Sequence, residues 1–178
     1  MDKIFSQRAE HSSTFATDDR TRQLAECTDS LPAKLYRVQY GSCQTMRDTR
    51  GLHAKDQSSP LPSLPEFAKS IEYQFNWNHR IPTRYISLFS DEVYARNWAI
   101  KRSEYEGQPC DLITITTDRL SRSTVFKLSN LVASLDLNIP DGAVQHVSGA
   151  YVCLYCVPSH AIGKIDVIDG SMLRLRSA

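Results

Sequence analysis

The segment Asp111-Leu-Ile-Thr-Ile-Thr-Thr-Asp118 carries the strongest structural signal in this sequence. Its β-branched residues follow the period of two that is typical of a β-strand. Gly107-Gln-Pro109 stands just before the segment and interrupts any helix that precedes it. A fold for this chain must therefore accommodate a well-formed strand at residues 111–118, with further elements on either side.

Three other segments are predicted to be strands. Lys34–Tyr40 alternates, with Leu35, Arg37 and Gln39 on one face and Tyr36, Val38 and Tyr40 on the other. Ile81–Ser90 indicates a loop that leads into a short strand, and the apolar run Ala150–Val157 indicates a buried strand that ends at Pro158. Arg37 is thus expected to point away from the aromatic face of the first strand.

The spacing of apolar residues predicts three helices. Phe67, Ile71 and Phe75 recur every four residues, followed by Trp77, which indicates an amphipathic helix of roughly ten residues from Glu66. Ser90 and Asp91 supply the cap of a second helix that runs through Ile100. The third prediction rests on helical spacing among Phe126, Leu128, Leu131, Val132 and Leu135, with Ser123 or Thr124 as the cap.

The order of these elements, with helices of different lengths between the strands, predicts a mixed α/β or α+β sheet. There is no internal repeat and no glycine-rich phosphate turn, which disfavours a doubly wound nucleotide fold. A length of 178 residues suits one domain. We expect residues 31–178 to form it and the polar residues 1–30 to form a flexible N-terminal arm. The Gly-, Ser- and Pro-rich segment Gly41–Pro65 predicts a long loop.

Charge and hydrophobicity limit the kinds of partner and cellular setting that this chain is expected to have. Lys and Arg total 21 against 20 Asp and Glu, so the whole molecule has no field that would hold a nucleic-acid backbone, although a local basic patch could. No run of about 18 apolar residues is present, so no membrane association is expected. An odd set of five cysteines and the lack of an apolar secretory signal predict a reduced, cytoplasmic setting.

Neither the cysteines nor the histidines predict a metal site. Cys153 and Cys156 have the spacing of a redox or zinc pair, but residues three apart on a strand point to opposite faces. We therefore interpret them as core cysteines. His79, His146 and His160 are scattered without zinc-ligand spacing, and no metal cofactor is predicted.

Arg37 and two serines are the main candidates for chemistry. A charged group inside a strand destabilises the fold unless it is paired or faces an anion-binding cleft, and both interpretations of Arg37 stay open. Ser87 and Ser90 lie just before a helix whose first N–H groups and dipole favour a phosphate or carboxylate. The alternative is that Ser90 or Asp91 is a simple helix cap.

Two other polar groups are weaker candidates. Trp77, His79 and Arg80 lie close together after the first helix and could stack on and hydrogen-bond a nucleobase or nicotinamide, although polar helix ends look similar. Glu104 and Glu106 offer two carboxylates for acid–base chemistry, but residues two apart are often solvated charges.

The order of these motifs resembles the ADP-ribosyltransferase-like superfamily, and within it a fungal domain family of the same layout. The resemblance rests on Leu35-Tyr-Arg37 on a first strand, Arg84–Asp91 running into a helix, and a following β-branched strand, and it extends over 35–162. It implies an α+β fold in which a small, split and curved mixed β-sheet, flanked by helices, cradles NAD. Arg37 would hold the cofactor, and Ser87, with Ser90, would shape the nicotinamide pocket. Trp77, His79, Arg80 and Tyr94 are then the further expected cofactor contacts.

One position departs from the family pattern. Where the resemblance implies a late-strand glutamate that orients a ribose hydroxyl, this chain has Ala150 or a neighbour, and alanine cannot stabilise developing positive charge. Three hypotheses follow. The chain is a transferase of the ADP-ribosyl type that recruits Glu92, Glu104 or Glu106; or an aminoacyl-tRNA-dependent or cyclodipeptide-forming enzyme of a fungal metabolite pathway; or a non-catalytic binding module.

Overall fold

The computed structural model of the protein describes residues 21, 23–58, 63–76, 81–120 and 124–170. The strands in these ranges are β1 (Lys34–Gln39), β2 (Thr45–Asp48), β3 (Gly51–Ala54), β4 (Tyr85–Phe89), β5 (Cys110–Thr116), β6 (Val125–Lys127), β7 (Ala150–Leu154), β8 (Cys156–Pro158) and β9 (Ile162–Ile168). The helices are α1 (Leu64–Phe75), α2 (Glu92–Glu106), α3 (Leu128–Leu135) and α4 (Asp141–Val144). The predicted α+β class is confirmed.

The strands form two sheets. Six strands pair in the order β6-β7-β4-β1-β5-β9, and three pair in the order β2-β3-β8. Each described pairing is antiparallel, so the expectation of a mixed sheet was wrong. Of the paired neighbours, β2 and β3 are joined by a short turn, whereas neighbours in the large sheet come from distant parts of the sequence or, for β6 and β7, are separated by two helices.

The core has three parts, set by the two faces of the large sheet. On one face, side chains such as Leu35, Ile86 and Ile113 pack against Leu52 and Val157 of the small sheet. The helices cover the opposite face.

The helix-covered face divides into two clusters. Phe67 and Ile71 of α1 and Leu131 of α3 pack with Phe126 and Val152 of β6 and β7. The second cluster lies under α2 and comprises Tyr36, Val38, Ala95, Ala99, Cys110, Leu112 and Ile168. The face assignments predicted for β1 therefore hold, because Leu35 and Tyr36 enter different clusters.

Both long helices begin where the sequence supplies a cap. At α1, Ser63 and Glu66 form a capping box, in which Glu66 accepts the backbone N–H of Ser63 at 3.1 Å. At α2, Asp91 accepts the N–H of Tyr94 at 2.9 Å, and Gly107 ends the helix in the left-handed conformation. The predicted Asp91 cap is confirmed.

The large sheet opens between β1 and β4. The described register between these strands contains the single pair Tyr36↔Phe89, whereas β1 and β5 pair over six residues. Beyond that pair the strands separate, and the side chain of Arg37 lies across the opening. This split brings a β1 side chain to the backbone of β4.

The segment predicted to be one long loop contains a β-hairpin instead. In 41–65, strands β2 and β3 pair from Thr45↔Ala54 to Asp48↔Gly51. All four residues of β3 are buried, so the strand shows no alternation of polar and apolar residues that would reveal it. Four-residue strands are too short for a period-two pattern to stand out.

Two other boundaries differ from the sequence prediction. Phe126 lies in β6 rather than in the third helix, which begins at Leu128. The predicted strand Ala150–Val157 is broken at Tyr155, which has a positive φ of 59°, so that β7 joins the large sheet and β8 the small one. Phe126 fits the apolar spacing of the helix that follows it, and 150–157 is apolar throughout, so apolar spacing does not show either boundary.

The structure bears on part of the predictions for the N-terminal arm, the cysteine pair and membrane helices. Most of the N-terminal arm lies outside the described residues, although Leu24 and Ala25 pack against the core under α1. Cys153 is buried and Cys156 half-buried, and both are free thiols. None of the helices in the described ranges has the length and hydrophobicity that a membrane crossing requires.

Candidate functional site

A cleft of ≈ 500 Å³ lies beside the split between β1 and β4. Its wall combines residues from β1, β2, β4, β7, α1, α2 and the loops near them, among them Arg37, Thr45, Gln74, Ser87, Arg102, Glu106 and His146. The cleft therefore lies where the elements carrying the predicted site residues meet.

Arg37 is buried in the wall of this cleft, with 8% of its surface exposed. Its Nη1 donates to the carbonyl oxygen of Ser87 at 3.0 Å, and its Nη2 donates to Oγ1 of Thr45 at 2.8 Å. Nε of Arg37 is buried and has no hydrogen-bond partner among the described residues. These contacts fix the plane of the guanidinium and leave its Nε without a partner among the described residues.

The charge of Arg37 has no ion-pair partner within the part of the chain that the structure describes. A buried cation without a counter-charge loses hydration energy that neutral acceptors only partly restore. An anionic group that enters the cleft would supply the missing charge, and a guanidinium is well suited to phosphate and carboxylate.

Ser87 faces the same cleft and is held by a polar side chain of α1. Its Oγ accepts a hydrogen bond from Nε2 of Gln74 at 2.7 Å, and the amide oxygen of Gln74 accepts from Thr83. Within the described ranges, the hydroxyl proton of Ser87 has no acceptor. Ser87 therefore presents a fixed oxygen whose proton a ligand can accept.

The α2 side of the cleft carries a second arginine. Arg102 lies over the ring of Tyr40, 4.2 Å from its centroid, and pairs with Glu106 at 2.7 Å. Glu106 also accepts from Ser42 at 2.6 Å. Unlike Arg37, Arg102 has its charge compensated by a neighbouring carboxylate.

The charges in the cleft wall are unevenly balanced. Its described lining contains three cations, Arg37, Lys55 and Arg102, and one carboxylate, Glu106. The chain as a whole is nearly neutral, with a formal net charge of +1. The cleft is therefore locally positive, as an anion site requires.

A second cavity of ≈ 320 Å³ adjoins the cleft at the start of α2. Ser90, Asp91 and Tyr94 line it together with residues that precede β7. His146 and Phe89 line both cavities, so the two cavities lie next to each other at these residues. His146 is buried, and its Nδ1 is hydrogen-bonded to the Tyr94 hydroxyl.

The environment of His146 favours a neutral imidazole. Burial lowers the pKa of His146, and the positive charge of Lys101 acts in the same direction, against a raising hydrogen bond with the Gly142 backbone. Rings of Tyr94 and Trp98 stand against the imidazole at centroid distances of 5.4 and 5.5 Å. Burial also raises the pKa of the Tyr94 phenol, so both partners are uncharged at neutral pH.

The structure brings together some of the predicted site residues and separates others. Arg37, Ser87 and Glu106 line the main cleft, whereas Ser90 and Tyr94 line the adjoining cavity. Glu104 is exposed and lines neither cavity. The predicted cofactor contacts Trp77, His79 and Arg80 lie outside the described residues.

Sequence reasoning missed four residues of the site, namely Thr45, Gln74, Arg102 and His146. A signal for one of them was visible, because Tyr94, Trp98, Arg102 and Glu106 recur every four residues along α2 and so share one face. Thr45 lies in a short strand and His146 in a loop, and no local sequence pattern predicts that these two segments approach the site. Among the described residues, no group of three His, Cys, Asp or Glu side chains could hold a metal ion.

Comparison with known proteins shows the family of this chain. No curated protein matches this chain significantly. A family model for a domain of unknown function, DUF7587, matches residues 30–170, which include the two sheets, the helices and both cavities described above. Since the match covers most of the chain, this protein belongs to the DUF7587 family.

Proposed function

We propose that this domain is a transferase of ADP-ribosyltransferase-like fold that binds NAD, or a closely related phosphate-bearing substrate, in the main cleft. The observation that carries the proposal is the buried Arg37 guanidinium, which has an unused Nε donor and no carboxylate partner within the described residues. A phosphate oxygen at that position would neutralise the charge of the guanidinium and accept the hydrogen bond from Nε.

The shape of the site supports the same assignment. A volume of ≈ 500 Å³ lies within the range of about 300–1,000 Å³ common for small-ligand pockets. Arg37 of β1 and Ser87 of β4 both line the cleft, and the resemblance gives these two residues the roles of holding NAD and shaping its nicotinamide pocket. Tyr40, Tyr73 and Trp98 in the lining offer aromatic surface for the rings of a dinucleotide.

Glu106 is the carboxylate we assign to the transfer step. Of Glu92, Glu104 and Glu106, it is the one that lines the cleft. When the glycosidic C–N bond of NAD breaks, its electron pair leaves with nicotinamide and positive charge develops on the ribose. A carboxylate nearby would accept a hydrogen bond from a ribose hydroxyl and offset that positive charge.

Ligand binding without transfer is the second candidate function. The observation in its favour lies at the start of β7, in the cleft wall. There the chain has Ala150 or a neighbour in place of the glutamate that the ADP-ribosyltransferase-like resemblance implies. Glu106 is also already engaged by Arg102 and Ser42, which reduces the charge it can offer to a ribose. In this case the cleft would bind NAD and leave it intact.

Nicotinamide release separates the two candidates. The purified protein is incubated with NAD, nicotinamide is quantified by chromatography, and NAD affinity is measured in parallel by calorimetry. We expect binding and slow release, with Glu106→Gln reducing release at least about tenfold and leaving affinity within a few fold.

Glu104→Gln is the matched control because Glu104 is two residues away and lines neither cavity. It should behave like the wild type. Binding without release would establish the second candidate, and absence of NAD binding would refute both. Salt-sensitive binding of tRNA in place of NAD would instead support the aminoacyl-tRNA hypothesis.

A further inference from the structure

Strand β9 lies at one edge of the large sheet, and its outer side is open. It pairs with β5 on one side, and no hydrogen bond joins its backbone to any other segment that the structure describes. At the opposite edge, β6 has only three residues, and there the N–H of Glu26 donates to the carbonyl oxygen of Val125 at 2.8 Å. The seven residues of β9 therefore form the longer and less protected edge. An open edge of this kind can add a further strand.

The side chains of β9 differ between its two faces. Ile165 and Val167 point to the same face, and 41% and 69% of their surfaces are exposed. Lys164 and Asp166 point to the other face, where Asp166 pairs with Arg96 of α2 at 3.0 Å and with Lys164 at 2.7 Å. The edge therefore presents two exposed apolar side chains on one face and two opposite charges on the other.

A second copy of β9 fits this edge in one antiparallel register. In a symmetric pair of strands, residues that lie opposite each other must point to the same face. If Ile165 lies opposite its own copy, all seven residues pair, and Lys164 of each copy faces Asp166 of the other. Sliding one strand by two residues shortens the ladder and places either Lys164 or Asp166 opposite itself. Because like charges directly opposite each other destabilise a sheet, the charges select the longest register.

We propose that two copies of this chain associate through β9, so that their six-stranded sheets form one continuous antiparallel sheet. The pairing would cover the exposed apolar side chains of both copies and satisfy the outer backbone groups of β9. Glu92, Arg96, Lys164 and Asp166 form a network with equal numbers of positive and negative groups, so two such networks meet without net repulsion. No residue of β9 lines either described cavity, so this inference goes beyond the proposed function and does not depend on it.

Sedimentation equilibrium of the full chain measures the dissociation constant of the dimer. The wild type should show a concentration-dependent equilibrium between monomer and dimer. Lys164→Glu places a carboxylate opposite Asp166 of the second copy at two positions in each dimer. It should raise the dissociation constant at least about tenfold. Lys164→Arg keeps the charge and should leave the constant within about threefold.

Lys69→Glu is the matched control for the charge reversal. Lys69 is exposed on α1, and this helix packs on β6 and β7 at the other edge of the large sheet. The control should dimerise like the wild type. Melting curves of all variants check that each protein is folded.

Cross-linking tests the register. Ile165→Cys and Val167→Cys are compared in a Cys27→Ser background, which removes an exposed native thiol. In the proposed register the two thiols introduced at 165 are adjacent, whereas those at 167 lie four residues apart along the ladder, on the order of 13 Å. A short bismaleimide should therefore link the Ile165 variant in much higher yield than the Val167 variant.

Three results would overturn this inference. The first is a wild type that stays monomeric up to the millimolar range, and hydrogen exchange of 162–168 would then show whether the same chain protects this edge. The second is a dimer whose affinity Lys164→Glu leaves unchanged, because the contact would then lie elsewhere. The third is more efficient cross-linking of the Val167 variant, which would exclude the register. Absence of NAD binding would refute the proposed function and leave this inference standing.

Discussion

At the scale of single residues, Arg37 is the position that sequence reasoning identified from local pattern alone. Alternation along β1 placed its side chain on the face opposite Tyr36, and the structure has it there, buried in a cleft wall. What no pattern could supply were its partners. Ser87 lies 50 residues away in sequence, and Thr45 belongs to a strand too short to be recognised.

The stability of an Arg37 variant tests whether this charge serves the fold. Arg37→Met keeps most of the side-chain volume. It loses two hydrogen bonds, and this loss is offset because the cost of burying a charge is removed as well. We expect the free energy of unfolding, from urea denaturation, to change by less than about 1 kcal/mol. A loss of more than about 3 kcal/mol would mean that Arg37 is a structural residue.

Tyr85 gives a prediction for alkaline pH. Burial raises the pKa of its phenol from 10.0 to about 12, and its hydroxyl is hydrogen-bonded to Ser70 at 2.7 Å. Because the folded state holds the proton more tightly than the unfolded state, stability is fully present below pH 10 and falls as pH rises toward 12. The contribution of this single group is roughly 2–3 kcal/mol.

Comparing the wild type with Tyr85→Phe by urea denaturation at pH 8 and pH 11 measures this contribution. The variant lacks the ionisable group, so it should lose less stability between the two pH values. Tyr36, Tyr94, Tyr151 and Tyr155, whose pKa values burial also raises, should keep some pH dependence in the variant. Identical losses in the two proteins would contradict the assignment.

At the scale of elements, the sequence predicts those that have a regular spacing of apolar residues or a clear cap. The residues of β1 and β5 alternate, the apolar residues of α1 recur every four positions, and the cap at Asp91 marks the start of α2. β2 and β3 have four residues each and β6 has three, so no period can be recognised in them. The unrecognised hairpin of β2 and β3 supplies Thr45 to the site, so the missed strands and the missed residue have the same cause.

Gly51 makes the hairpin possible. Its φ is +135°, and a Cβ there would lie 2.1 Å from the carbonyl oxygen of Val157 in the neighbouring strand β8. Gly51→Ala should therefore force β3 from β8 and lower the free energy of unfolding by roughly 2–4 kcal/mol. Thermal and urea denaturation would measure the loss.

Gly41→Ala is the matched control, because a Cβ at Gly41 meets nothing within 4 Å. It should change stability by less than about 0.5 kcal/mol. Similar stabilities for the two variants would contradict the packing described for the small sheet. Since the hairpin carries Thr45, the Gly51 variant should also bind ligand more weakly.

At the scale of the whole molecule, the fold places a positive cleft in a chain of almost no net charge. The two sheets and the helix layer meet at the split between β1 and β4, and the cleft forms where neither sheet pairing nor helix packing fills the space. Composition could show that the protein lacks a global field, yet only the fold shows that three cations converge on one cleft. Recognition is therefore local, through a few fixed donors.

The central claim is that the Arg37 guanidinium binds the anionic group of a ligand. Calorimetric titration of the wild type and Arg37→Met with NAD, under identical buffer and salt, tests it most directly. We predict that the variant, still folded by its melting curve, binds at least about tenfold more weakly, since a charged hydrogen bond is worth roughly 1.5–3 kcal/mol. Equal affinity in the two proteins, or no NAD binding by the wild type, would contradict the account.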